Sequence, residues 1–214
     1  MVFGKLHAPL VHPRSLKAKL AAEYTGVELE LTPDFAFGTT NKSSEYLEKF
    51  PLGKAPSFEQ DDFHLTESSA IAFYIANSKD DSTLLGDNKK ELAKIWQYIL
   101  YTETAVAQPI VNIIRPIIFN LPVDAADKQK NLEQIHAFLA QIEAHLSKSG
   151  QKYLVGERVS LADINLFANL LIPFARFLPL EEWSKYGLVK SWFDNLLSQP
   201  EFKKVLPQFS YFTQ

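Results

Sequence analysis

The chain contains no cysteine. That absence rules out a disulfide framework, a cysteine-built metal site and any catalytic thiol of the protein's own. Long apolar runs are missing as well. Nothing approaches the roughly 20 consecutive apolar residues that a membrane-spanning helix needs. The opening text, MVFGKLHAPLVHPRSLKAKL, lacks the unbroken apolar segment of a secretory signal. Nor is there a basic excess. The formal net charge is −3, whereas nucleic-acid binders usually carry a clear surplus of lysine and arginine. Neither an internal repeat nor a low-complexity tract is visible. These absences lead to the expectation of a cytoplasmic protein that uses neither nucleic acid nor a membrane as partner.

What is present is an ordinary globular composition. The 214 residues are 46% hydrophobic and 22% charged, enough for one large domain or two small ones with a real core. Residues 2–10 are short, apolar and read as a strand. From Pro13 the pattern turns helical, with Leu16, Leu20 and Tyr24 at i, i+4 and i+8 and Gly26 as a natural stop. VELEL (27–31) alternates like a half-buried strand. SSEYLEKF predicts a short helix, PSFEQ and FHLTE two strands about an Asp61-Asp62 turn, and SSAIAFYIANS a helix with Ile71 and Ile75 on one face. Residues 78–90 read as a polar linker. Beyond them no strand signal appears. Pro109 and Pro116 are expected to break or kink a long apolar stretch from Lys90 to Phe119. Leu132, Ile135, Leu139, Ile142 and Leu146 recur at helical spacing, and the apolar text after Ser160 predicts a buried central helix. The expected organisation is a small strand-and-helix domain over 1–80 and an all-helical domain over 88–214.

Two local stretches carry chemistry. GKAPSFE (53–59) sets a proline where a strand begins, and LTESSAIAFYIA (65–76) sets Glu67-Ser68 at the head of an apolar helix. A helix N-terminus offers free N–H groups and a dipole that favour an anion. Taken singly these residues have plainer readings. Pro56 can begin a strand, and Thr66 or Ser68 can be an ordinary N-cap. YLVGERVSLADINLF (153–167) places Asp163 three residues after Ser160, a variant of the capping box and a folding device.

With this order of elements, GKAPSFE, LTESSAIAFYIA and YLVGERVSLADINLF together resemble the cytosolic glutathione transferase superfamily over essentially the whole chain. Within it, FGTTNKSSEYLEKFPLGKAPSFEQDD and LVGERVSLADI are most similar to the N-terminal domain of the elongation factor one-B gamma subunit and to related fungal transferases. The resemblance implies the two-domain glutathione transferase fold (α+β, then all-α), with a thioredoxin-like N-terminal domain. It implies a cis peptide before Pro56, a geometry found in about 5–6% of such bonds. It also implies a glutathione site at Lys54, Ala55, Pro56, Glu67 and Ser68. There Ala55 pairs its backbone with the tripeptide, Ser68 takes the γ-glutamyl carboxylate, Glu67 holds the ammonium side, and Lys54 adds charge near the glycyl carboxylate. Asn41 and Lys42 are outer candidates. No cofactor other than glutathione, as substrate or ligand, is implied, and no metal.

The family usually activates the glutathione thiol with a Tyr or Ser hydroxyl near the end of the first strand. Here the corresponding positions fall on His7 and close to His12, and the nearest hydroxyl is Ser15. An imidazole N–H can still donate to a thiolate, so His7 and His12, with the field of Arg14, are the candidate catalytic groups. Their plain readings are a buried strand residue and a loop residue. His64 is expected exposed, and His136 and His145, nine apart, do not share a helix face. Tyr101, Gln108, Arg115 and Phe119 are candidates for a second-substrate cleft that takes a hydrophobic electrophile. The long helix and AIAFYIA resemble the family's dimer surface, so a homodimer is expected. The chain ends at Gln214, where such a fold is expected to be complete, which fits a free-standing protein. Three readings stay open: a transferase, a scaffold domain that docks an elongation factor exchange subunit, and a fold with no ligand.

Overall fold

The computed structural model describes residues 2–9 and 12–213. The strand expected over 2–10 is β1 (Val2–His7), and the expected end at Leu10 lies outside the described residues. β1 pairs parallel with β2 (Glu28–Leu31) and antiparallel with β3 (Ser57–Gln60), which pairs antiparallel with β4 (Phe63–Thr66). The sheet order is β2-β1-β3-β4.

Strand alternation decides which side chains meet which helix. Leu6 lies opposite Phe58, and both are fully buried. The Phe58 ring meets Tyr74 of α3 (Ser68–Ala76). α1 (Pro13–Thr25) packs beside α3. Lys5, His7, Ser57 and Glu59 point to the other face, where the His7 ring meets Tyr46 and Phe50 at the end of α2 (Ser44–Lys49). α1 begins with Pro13, where a missing N–H costs nothing, and ends at Gly26 in the left-handed region. The expected polar linker contains a 3-10 turn, Thr83–Leu85, whose Leu84 is fully buried.

Residues through Leu85 form one compact unit and those from Gly86 onward another. The second unit is helical: α4 (Lys89–Ala105), α5 (Ala107–Phe119), α6 (Ala125–Ser149), α7 (Leu161–Arg176), α8 (Leu180–Trp183), α9 (Gly187–Ser198) and α10 (Pro200–Val205). The interruption in the long apolar stretch falls at Val106, ahead of Pro109. Pro109 is the third residue of α5, inside the first turn, where helices tolerate proline. Pro116 sits inside α5 without ending it. α7 is the central helix. Twelve of its residues are buried, and the Phe167 ring stacks on Phe193 of α9 at 4.4 Å.

Candidate functional site

The sheet register gathers the predicted site residues at one end. Ser57 lies opposite both His7 and Thr66, and Leu6 lies beside Leu31. Hence the ends of β1, β2 and β4 and the start of β3 all meet there. His12 and Ser68, which open α1 and α3, follow from the same end.

Ala55–Pro56 is a cis peptide. The segment before it is braced from two sides. The fully buried Asn41 donates from Nδ2 to the Gly53 carbonyl at 2.6 Å and accepts the Gly38 N–H on Oδ1 at 2.6 Å. Tyr46 of α2 donates its hydroxyl to the Lys54 carbonyl and accepts from the buried Ser57 hydroxyl at 2.8 Å. Gly53 has φ +57, and a side chain there would meet Asn41 O and Leu47 at 3.0 Å. Glycine is required on both counts. Lys54 is exposed, Ala55 half-buried and Pro56 buried.

Glu67 joins β4 to α3 with φ +66 and ψ 114. A non-glycine residue held there is strained, by about 1–3 kcal/mol, and such residues cluster where ligands bind. The Glu67 side chain is exposed and caps nothing. Ser68, 8% exposed, is the first residue of α3, and no side chain caps that turn. A carboxylate has natural partners at such an end. The buried Lys17 of α1 donates to Ser69 at 3.4 Å and ties the same turn to α1. The cis peptide at Ala55–Pro56 leads into β3, and Glu67 and Ser68 follow β4 at the same end of the sheet.

The two histidines are placed differently. His7 is buried under α2. Its Nδ1 lies 2.6 Å from Thr32 Oγ1, and its Nε2 lies 3.3 Å from Glu59, which also takes Lys49 at 2.7 Å. Burial, aided by Lys5 and Lys49 and opposed by Glu59, lowers the His7 pKa from its ordinary value. Burial pushes the Glu59 carboxyl up, but Lys49 and His7 outweigh it and hold it low. His12 is the N-cap of α1. Its Nδ1 accepts the Arg14 N–H at 3.2 Å, and its carbonyl accepts the Ser15 and Leu16 N–H groups. Burial, with the charges of Arg14 and Lys17, lowers its pKa to about 4. The ring is therefore neutral near pH 7. With Nδ1 accepting, the proton sits on Nε2, which has no hydrogen-bond partner among the described residues. Arg14 is exposed on the first turn. The Ser15 hydroxyl is buried and spent on the His12 and Pro9 carbonyls at 2.8 and 3.3 Å.

The second-substrate candidates lie on α4 and α5. The Tyr101 ring packs on Phe138 and its hydroxyl donates to Gln141 of α6. Gln108 donates to Asn112 at 2.7 Å. Arg115 lines a groove between α5 and α6, and Phe119 is the exposed last residue of α5. His64 is exposed, as its alternation with Phe63 and Leu65 predicts. Among the described residues no three His, Asp or Glu side chains are grouped to hold a metal, and no helix is long and apolar enough to cross a membrane.

Sequence reading missed Asn41 and Tyr46 as the braces of the 53–57 segment. Its position in the sequence suggests only an outer ligand candidate for Asn41. Tyr46 gave no signal beyond that of a core aromatic.

The family described as "Glutathione S-transferase, N-terminal domain" matches residues 3–77, and "Glutathione S-transferase, C-terminal domain" matches residues 102–200. Over 210 residues the chain is 36% identical to Elongation factor 1-gamma of Artemia salina, covering 98% of this chain and 47% of that protein. The chain spans about half the length of the curated relatives it matches. Glutathione S-transferase I from mais, solved in complex with an atrazine glutathione conjugate, superposes with a TM-score of 0.82 at 29% identity, over 94% of this chain and 95% of that one. The GST-like domain of Elongation factor 1-gamma from Saccharomyces cerevisiae superposes with a TM-score of 0.81 over 99% and 96% of the two chains. Its 21% identity makes that a likeness of fold.

Proposed function

The chain belongs to the glutathione S-transferase family, and from that premise we propose that it serves as a gamma-type scaffold domain of a translation elongation factor exchange complex. In this reading it keeps a glutathione site at Lys54, Ala55, Pro56, Glu67 and Ser68 and performs little conjugation chemistry. One observation carries it: the position from which the family activates the thiol has no usable hydroxyl. Ser15 is consumed by two carbonyls, and the His7 ring is turned to Thr32 and Glu59 beneath α2. The similarity to Elongation factor 1-gamma at 36% identity supports the same reading.

Bound glutathione would supply a thiol for addition to an electrophile. The chain's own groups would do the holding. Ala55 offers backbone N–H and C=O, Ser68 and the start of α3 take a carboxylate, Glu67 faces an ammonium, and Lys54 balances the second carboxylate. The strained backbone at Glu67 and the brace from Tyr46 fix these groups before any ligand arrives.

A second reading has its own support. Neutral His12 carries an N–H on Nε2 at the start of α1, where an N–H donor would stabilise a thiolate. It makes the protein a slow transferase for hydrophobic electrophiles, with His12 as thiol donor, Arg14 adding field and His7 acting only through packing.

Calorimetry with glutathione, an aryl-halide turnover assay and sedimentation with the exchange subunit test both readings on one sample. The scaffold reading expects glutathione binding that weakens about tenfold or more in Ser68→Ala, little turnover and a stable complex with the exchange subunit. Robust turnover abolished by His12→Ala, with no complex, overturns it in favour of the transferase. No binding at millimolar glutathione removes the site. Sedimentation of the chain alone checks the homodimer.

A further inference from the structure

The end of α5 and its link to α6 expose an unusual amount of apolar surface. Ile117, Ile118, Phe119, Leu121 and Val123 are between 48 and 65% exposed, and they are five of the eight large apolar side chains this open among the described residues. No local need explains them. Asn120, with φ +50, ends α5, and Asp124 starts α6, so polar residues would close the turn equally well. Contiguous exposed apolar residues in a folded protein mark an interaction surface.

Beside them runs a groove of about 640 Å³ between α5 and α6, lined in part by Ile113, Pro116, Leu121, Val123 and Arg115. Its polar floor is already satisfied. Asn112 donates to Asn131 at 3.0 Å, and Asn131 donates to the Asp127 carbonyl at 2.6 Å. Its charge is not. Arg115, Lys128 and Lys130 line it, exposed, with no carboxylate partner among the described residues. Asp124 is occupied as the cap of α6, accepting the Asp127 N–H at 2.9 Å, and Asp127 sits in the first turn of α6, where the helix dipole favours its charge.

We propose that this groove docks an acidic amphipathic helix of another polypeptide. The walls come from α5, α6 and the short link between them and offer no strand edge, so an extended segment would bury unpaired amides, whereas a helix pairs its own. The unmatched cations call for glutamate or aspartate flanking the apolar stripe. A second copy in a symmetric contact would bring the same net-positive lining against itself. A lipid surface suits a convex patch and leaves a concave polar floor unfilled. Of the residues expected at a second-substrate cleft, Arg115 belongs in this reading to the docking groove and Phe119 to the exposed apolar patch at the end of α5. The proposal depends neither on glutathione binding nor on the identity of the exchange complex.

Two labelled peptides of about four helical turns test it, sharing leucines at i, i+3, i+4 and i+7, one flanked by glutamates and the other by lysines. By fluorescence anisotropy the acidic peptide is expected to bind saturably, about tenfold more weakly to the Arg115→Glu/Lys128→Glu variant, while the lysine peptide prefers that variant. Ile118→Ser/Phe119→Ser removes acidic-peptide binding at unchanged melting temperature, and Ser68→Ala leaves it intact. Equal binding of both peptides, or of neither, overturns the proposal. So does self-association by sedimentation that is lost in Ile118→Ser/Phe119→Ser, or cosedimentation with phosphatidylserine vesicles in place of peptide binding.

Discussion

A histidine at a helix N-cap has two nitrogens with separate duties. In His12, Nδ1 is fixed as an acceptor by the Arg14 N–H, so protonation there breaks the cap. The folded state resists that proton down to about pH 4, whereas an unfolded chain takes it up near the ordinary value of 6.5. As pH falls through 6.5 the unfolded state therefore binds more protons than the folded one, and stability drops until about pH 4, below which this contribution is constant. His12→Asn keeps a capping oxygen and removes the titration. Urea midpoints measured across that window are expected to fall more steeply for the wild type than for His12→Asn. His7, also depressed, contributes equally to both proteins and cancels in the comparison. Parallel curves would show that the cap does not carry the shift.

At the level of elements, α2 is six residues long and cannot be stable alone. Its value lies in Tyr46, which joins it to both sides of the cis peptide. Tyr46→Phe keeps the ring contacts with His7 and Phe50 and leaves the Lys54 carbonyl and Ser57 hydroxyl short of a partner. A stability loss of about 1–3 kcal/mol is expected, accompanied by weaker glutathione binding. Ser68→Ala should weaken binding with little loss of stability, so the pair separates bracing from contact. Unchanged binding in Tyr46→Phe would show that the 53–57 segment holds its shape unaided. The same contrast marks what sequence can disclose. Pro56, Glu67 and Ser68 are legible because they adjoin strand ends and a helix start, and the capping pair Ser160 and Asp163 because its members are three residues apart. Tyr46 reaches eight and eleven residues across an irregular loop, and His7, Thr32 and Glu59 come from β1, from the residue after β2 and from β3. No periodicity encodes such partners. The break at Val106 was equally hidden, since neither glycine nor proline marks it and the nearby Pro109 is harmless in a first turn.

Over the whole molecule each unit closes around a buried polar hub: Asn41 and Tyr46 in the first, Asp163 in the second. The hub of the second unit is larger. One Asp163 oxygen takes the Leu154 N–H and the Trp192 indole N–H, both at 2.9 Å. The other takes the Ser160 N–H at 2.9 Å and the Ser160 hydroxyl at 2.8 Å. One carboxylate thus joins the 150–160 loop, the start of α7 and the middle of α9. Its complete burial pushes its pKa up, and the four donors pull it back. The sequence pattern identified only the contact with Ser160, because Leu154 and Trp192 lie nine and twenty-nine residues away. Removing Ser160 as cap alone should cost on the order of 1 kcal/mol. Removing the carboxylate strands all four donors in a dry interior, so Asp163→Ala should cost at least about 3 kcal/mol. Asp163→Asn keeps the shape but turns an NH2 toward N–H donors, and should recover little of that loss. Urea unfolding followed by far-UV circular dichroism and by Trp192 fluorescence reads both variants. An Asp163→Asn protein as stable as the wild type would mean that the acid is already protonated in the fold and that the hub works as a neutral hydrogen-bond node.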